Sequence, residues 1–286
     1  EDKVERNTYL DSMRDAFAKQ HEQEIATALL PTSVLSYLFD SVLKDKLTEE
    51  VFTLNKRVDG RAHTTVRAIS AEIGLLPYTH GSAVFTRGST QALASITLGS
   101  GEDAQKTETL MEPRTNGTFM LHYNFPPFST GEVKPIRPPG RREIGHGHLA
   151  ASAFDHLLPT QDEFPYTIRI VADILESDGS SSMATVCSST MGLLQAGVPL
   201  RSMVSGIAMG LLKSKQGAFK VLSDISGLED AFGLMDFKVV GTERGITAIQ
   251  MDIKYKGGLV REVFDTALDQ ARTGRLHILG EMKKVI

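Results

Sequence analysis

Apolar positions fall at helical spacing through the first fifty residues. Met13, Phe17, Ile25 and Leu29 mark one face, and Thr8 stands where it can cap the helix. Pro31 breaks this pattern. Thr32 or Ser33 then caps a second helix, whose Leu35, Leu38, Phe39, Val42 and Leu43 run close to an i, i+3, i+4, i+7 stripe. Lys19, His21, Glu22, Gln23 and Glu24 read as a solvated face between the stripes. The pattern predicts a helical hairpin or helical linker over 1–48.

After Arg57-Val58-Asp59-Gly60-Arg61 the period shortens, and 49–286 reads as a second domain. Ala83 to Thr86 and Ala92 to Leu98 are two strands around Arg87-Gly88-Ser89-Thr90, and Phe119 to Tyr123 is a third, ending at Pro126-Pro127. Tyr166 to Glu176 is apolar on both faces and reads as a central strand. Met183 to Ala196 is a helix stopped by Gly197 and Pro199. Val204 to Leu212 is a further apolar run. Phe219 to Ser223, Phe237 to Val240 and Ile246 to Lys254 are strands, the last two joined by the hairpin loop Gly241-Thr242-Glu243-Arg244-Gly245. A helix from about Val260 closes the chain. Irregular alternation with an antiparallel hairpin predicts an α+β (mixed α/β) fold, not a doubly wound parallel sheet.

Composition narrows the class. The 286 residues are 41% hydrophobic and 23% charged, ordinary for a globular protein. No run of about 18 apolar residues occurs, so no membrane partner is expected. The single Cys187 excludes a disulfide framework and a cysteine zinc site. Glu1 opens the chain and no signal peptide precedes it, so the sequence reads as a piece of something longer or as a processed chain. A net charge of -4 argues against a uniformly basic nucleic-acid coat, though not against a local basic groove.

Three constellations carry candidate chemistry. Asp178-Gly179-Ser180-Ser181-Ser182-Met183 follows a strand and opens a helix, so hydroxyls and backbone N–H groups can converge on an anion; the plain alternative is that one serine caps the helix. Asp236 and Lys238 stand at i and i+2 on a strand, sharing one face, while Phe237 points to the core. Asp230, on a preceding loop, can fold back to them, and two carboxylates are the minimal protein share of a magnesium or manganese site. The plain alternative is a surface ion pair with a solvated loop acid. The proline-rich loop Lys134 to Arg142 carries Lys134, Arg137, Arg141 and Arg142, with His146 four residues on. Arginine forks suit phosphates, and Tyr123, Phe125 and Phe128 upstream could stack bases. Anion cradle, divalent metal and arginines are together the equipment of phosphoryl transfer. No GxSxG, GxxxxGK[ST] or GxGxxG motif occurs.

At these residues the sequence resembles the polynucleotide phosphorylase (polyribonucleotide nucleotidyltransferase) family, specifically its second RNase PH-like core. The resemblance rests on Arg57 to Arg61, Thr86-Arg87-Gly88-Ser89-Thr90-Gln91, Leu121 to Phe128, Gly140-Arg141-Arg142-Glu143-Ile144-Gly145-His146-Gly147, Gly179 to Ala184, and Met235-Asp236-Phe237-Lys238, in family order. The first fifty residues resemble the end of the helical segment that joins the family's two cores. The resemblance implies an RNase PH-like fold (ribosomal protein S5 domain 2-like) packed as a trimeric ring around an RNA channel. It implies a cytoplasmic 3′-to-5′ phosphorolytic exoribonuclease acting in mRNA degradation. Inorganic phosphate would release nucleoside diphosphates from single-stranded RNA, reversibly and with Mg2+ or Mn2+, with RNA-degradation complexes as possible partners. Phosphate binding would fall to Ser180, Ser181 and Ser182, catalysis to Asp230, Asp236 and Lys238, the metal to Asp230 and Asp236, and RNA to Arg141, Arg142 and His146.

Two positions depart from the family. Asp178 stands where the family has Asn, and its charge would weaken phosphate affinity unless the carboxylate points away. Leu234 replaces an Asp. The competing readings are a non-catalytic RNA-binding ring subunit, which would tolerate loss of an acid or serine, and a metal-dependent hydrolytic nuclease, which needs no phosphate cradle.

Overall fold

The computed structural model describes residues 3–28, 31, 33–108 and 115–286. They form two compact units, Glu1–His63 with Leu212–Lys220, and Thr64–Leu211 with Val221–Ile286. The first unit contains helices α1 (Lys3–Thr27) and α2 (Ser33–Leu54). Phe17 meets Phe39 with ring centroids 6.0 Å apart, and Arg14 pairs with Asp40 at 2.9 Å. Thr8 is not a cap: it lies inside α1, where its hydroxyl donates to the Val4 carbonyl at 2.8 Å, a bond that threonine makes readily in a helix interior. Thr32 and Leu29 lie outside the described residues. Met13, Leu38 and Val42 are exposed, so the apolar stripes of this unit are only partly covered.

The second unit is the mixed α and β fold that the pattern predicted. Its strands are β1 (Ile69–Ile73), β2 (Gly81–Arg87), β3 (Thr90–Gly99), β4 (Gln105–Thr107), β5 (Thr115–Gly117), β6 (Phe119–Asn124), β7 (Thr167–Glu176), β8 (Ser205–Lys213), β9 (Phe219–Ser223), β10 (Met235–Gly241) and β11 (Ile246–Ile253). Its helices are α3 (Arg141–Ser152), α4 (Ser181–Gln195), α5 (Gly227–Phe232) and α6 (Arg261–Met282). The tip of the β8–β9 hairpin is counted with the first unit. One sheet has the order β1-β2-β3-β7-β6 and another the order β11-β10-β8-β9, with β4 and β5 as a separate pair. β7 lies inside its sheet, antiparallel to β3 and parallel to β6. The parallel pair requires a crossover, and α3 lies within it.

Helix α4 is the pillar of the core. Every residue from Ser181 to Leu193 is buried, and the helix packs on β2 and β3. Ile168, Ile170, Ala172 and Ile174 of β7 turn one face inward, in the period-two pattern of a strand. Two expectations need correction. Arg141 and Arg142 are not loop residues but the first turn of α3, and Asp230 sits on the short helix α5 rather than on a loop. The cause in α3 is Glu143, whose carboxylate accepts the Gly140 N–H at 2.7 Å and the Phe125 N–H at 3.1 Å and so caps the helix start. In α5, Ser226 and Glu229 exchange the same kind of capping contacts. Among the described residues no helix is long and apolar enough to cross a membrane.

Candidate functional site

The serine turn links β7 to α4. Gly179 has φ +86 and Ser180 φ +62, so both residues are left-handed. Gly179 cannot be replaced on steric grounds either. A Cβ there would stand 2.8 Å from the Gly227 nitrogen and 3.0 Å from the Ile225 carbonyl. That close approach brings the start of α5 against the turn. Successive N–H groups in such a turn form an anion-binding concavity. The hydroxyls of Ser180 and Ser182 are buried without a hydrogen-bond partner among the described residues. The Ser181 hydroxyl meets the Tyr123 hydroxyl at 2.8 Å. The Asp178 carboxylate accepts the Gly227 N–H at 3.3 Å, on the α5 side of the turn.

On β10, Phe237 is fully buried and stacks on Phe264 with centroids 5.7 Å apart, which fixes the opposite face of the strand. Asp236 and Lys238 form an ion pair at 2.7 Å, with only 13% and 7% of their side chains exposed. This is a buried pair, not the surface pair that charge frequency alone would favour. Lys238 also donates to Gln250 on β11 at 2.9 Å. Burial raises the Asp236 carboxyl above its ordinary range, and the charge of Asp230 adds to that against the pull of Lys238. Asp230 is half-buried, with its carboxylate 3.3 Å from Lys254.

Helix α3 lies against β6. A Cβ at Gly147 would stand 3.2 Å from the Tyr123 Cβ, so glycine lets the helix approach. His146 meets the edge of Tyr123, with centroids 5.6 Å apart. Burial, then the charges of Lys238 and Arg142, push the imidazole down to about 4, so His146 is neutral at neutral pH. Burial pushes the Tyr123 phenol up. Tyr123 is 4% exposed, so it is a buried hinge between Ser181 and His146 and not a stacking surface for bases; Phe128, at 58% exposed, is free to be one. Arg141 and Arg142 are exposed. A cavity of about 1050 Å³ is lined by Phe125, Phe128, Lys134, Arg137, Glu143 and Asp173 among others.

The structure therefore joins the three constellations. Contacts run from Ser181 through Tyr123 to His146, and the imidazole feels the charges of Arg142, Lys238 and Asp230. Sequence reasoning missed the role of Tyr123. Its period-two place on β6, opposite an apolar neighbour, was the available signal. Among the described residues no three His, Cys, Asp or Glu side chains cluster as a self-sufficient metal site. The Asp230 and Asp236 pair fits a hard divalent cation completed by water and substrate oxygens, because a cation would offset the burial that chiefly disfavours the Asp236 carboxylate and the smaller repulsion from Asp230.

Residues 65–199 match the RNase PH family, described as the 3′ exoribonuclease family, domain 1. The chain is 56% identical over 248 residues to the polyribonucleotide nucleotidyltransferase of Thermodesulfovibrio yellowstonii, covering 87% of this chain and 34% of that protein. It is 50% identical over 285 residues to the protein of the same name from Dinoroseobacter shibae, covering 100% of this chain and 39% of that protein. The chain thus spans little more than a third of the length of these relatives. Among solved structures, rice Rrp46 superposes with a TM-score of 0.63 at 18% identity, over 79% of this chain and 98% of that one, a likeness of fold.

Proposed function

This chain belongs to the polyribonucleotide nucleotidyltransferase family, in whose RNase PH-like core it lies, and from that membership we propose that it carries out phosphorolysis of RNA from the 3′ end. In this reading 1–48 end the helical segment between two cores, and 49–286 are the second, catalytic core of a longer chain. That chain would work as a cytoplasmic homotrimer, alone or within an RNA-degrading complex. Inorganic phosphate would occupy the turn at Ser180, Ser181 and Ser182, and nucleoside diphosphates would leave. Arg141, Arg142 and His146 would hold single-stranded RNA. Asp230 and Asp236 would hold Mg2+ or Mn2+, which when bound supplies charge neutralisation at the transferred phosphoryl group. Lys238 keeps a second positive charge at the same place, held by Asp236 and Gln250.

The observation that carries the proposal is the buried Ser182 hydroxyl, unpartnered among the described residues, at the N-terminus of α4. A merely capping serine uses its hydroxyl on the helix, and this one does not. A non-catalytic ring subunit has no need of such a group or of the buried Asp236–Lys238 pair. The test is Asp236→Asn. Turnover should be abolished while circular dichroism keeps the native spectrum, with stability lowered by the loss of the buried pair. Near-normal phosphorolysis by that variant would contradict the metal assignment.

A further inference from the structure

Behind the serine turn lies a buried group of charges that the proposed chemistry does not use. Asp224, fully buried and itself at φ +54, sits between two guanidinium groups. Arg67 donates to it from Nε, from Nη2 and from its backbone N–H, each at 2.9 Å. Arg87, also fully buried, approaches it from the other side at 3.0 Å. Each arginine then reaches the turn. Arg67 Nη1 donates to the Asp178 carbonyl at 2.7 Å, and Arg87 Nη2 to the Ser180 carbonyl at 3.3 Å. The carbonyl between them, on Gly179, accepts from the Thr90 hydroxyl at 2.9 Å. The same hydroxyl accepts the Asp178 N–H at 2.9 Å.

Three consecutive carbonyls are thus drawn inward by three side chains from β2, β3 and the segment before β1. With its carbonyls fixed on one side, a left-handed turn must present its later N–H groups on the other. Ser180 is a non-glycine residue at positive φ, a conformation that persists only where its surroundings over-determine it. Burying three ionised side chains is likewise a poor route to stability alone, since well-packed apolar residues do as well or better. We infer that Arg67, Arg87 and Thr90, with Asp224 holding the two arginines, are positioning residues that set the 178–182 turn in its anion-binding shape before phosphate arrives. The inference rests on the phosphate reading of the serine turn.

Thr90→Val is the discriminating change, because it removes the hydroxyl at nearly constant volume and leaves every proposed contact residue in place. The measurement is the initial rate on poly(A) against inorganic phosphate, in the complete natural chain that carries this core. The KM for phosphate should rise roughly tenfold, the combined size of the two modest neutral hydrogen bonds that the hydroxyl makes to the turn. kcat should stay within about twofold and RNA affinity should not move. Thr90→Ser should restore the wild-type KM. An unchanged KM, or a fall in kcat and thermal stability at constant KM, would overturn the inference and make the cluster purely structural. A wild-type rate indifferent to phosphate would instead overturn the phosphorolysis reading, and this inference with it. A second measurement needs no variant: hydrogen exchange of the wild-type Asp178 amide, which the Thr90 hydroxyl holds, in phosphate-free buffer. Slow exchange supports a preset turn, and protection that appears only on adding phosphate overturns it.

Discussion

Ser182 and Ser181 are neighbours with different commitments. The Ser181 hydroxyl is engaged by Tyr123, whereas that of Ser182 is buried without a partner among the described residues. An unsatisfied buried polar group costs about 1–3 kcal/mol, and a bound anion would remove that cost. Ser182→Ala should therefore raise the phosphate concentration for half-maximal rate by about 10- to 100-fold, the worth of one hydrogen bond to a charged group. Ser181→Ala should raise it less. Phosphate titration of initial rates orders the two, and an equal or reversed order would show that Tyr123 does not set the difference. The sequence could place three serines after a glycine at a helix start, but it could not divide the labour among them. That division depends on Tyr123, 58 residues earlier in the chain.

At the scale of elements, α3 and not the proline-rich loop carries Arg141 and Arg142. Its first turn carries Arg141 and Arg142 outward and its second carries His146 inward to Tyr123. The double change Arg141→Ala with Arg142→Ala should weaken RNA binding and lower the slope of log affinity against log salt by about 1.4, two single-strand phosphate contacts. Binding measured across a salt series checks this, and an unchanged slope would remove α3 from the RNA path. The helix was hard to read because Gly145 and Gly147 interrupt its pattern. Gly147 is there to let α3 approach β6, a tertiary demand that overrides helix propensity. The β2–β3 pair, the central β7 and helix α4 were legible, because period-two alternation and a glycine stop are local signals. The start of α1 was not, since Thr8 bonds within the helix instead of capping it.

For the whole molecule, the buried charges of Arg67, Asp224 and Arg87 tie distant parts of the second unit together. Burial works to raise the Asp224 carboxyl, yet the two guanidinium groups hold it well below its ordinary value of 3.8. A carboxyl depressed in the folded state stabilises fully above its unfolded value and loses that contribution as pH falls toward the folded one. Asp224→Asn should thus destabilise by about 3–5 kcal/mol at pH 7, the cost of breaking a buried ion pair, with the difference narrowing below about pH 3.8. Urea unfolding at a series of pH values reads this directly, and a pH-independent difference would contradict it. The proposed phosphorolysis makes inorganic phosphate, held at the serine turn, the attacking group. Poly(A) incubated with the complete natural chain, with and without inorganic phosphate, and the products separated by chromatography, distinguishes phosphate from water as that group. Nucleoside diphosphates released only when phosphate is present are the predicted result. Nucleoside monophosphates released at the same rate without phosphate would contradict it.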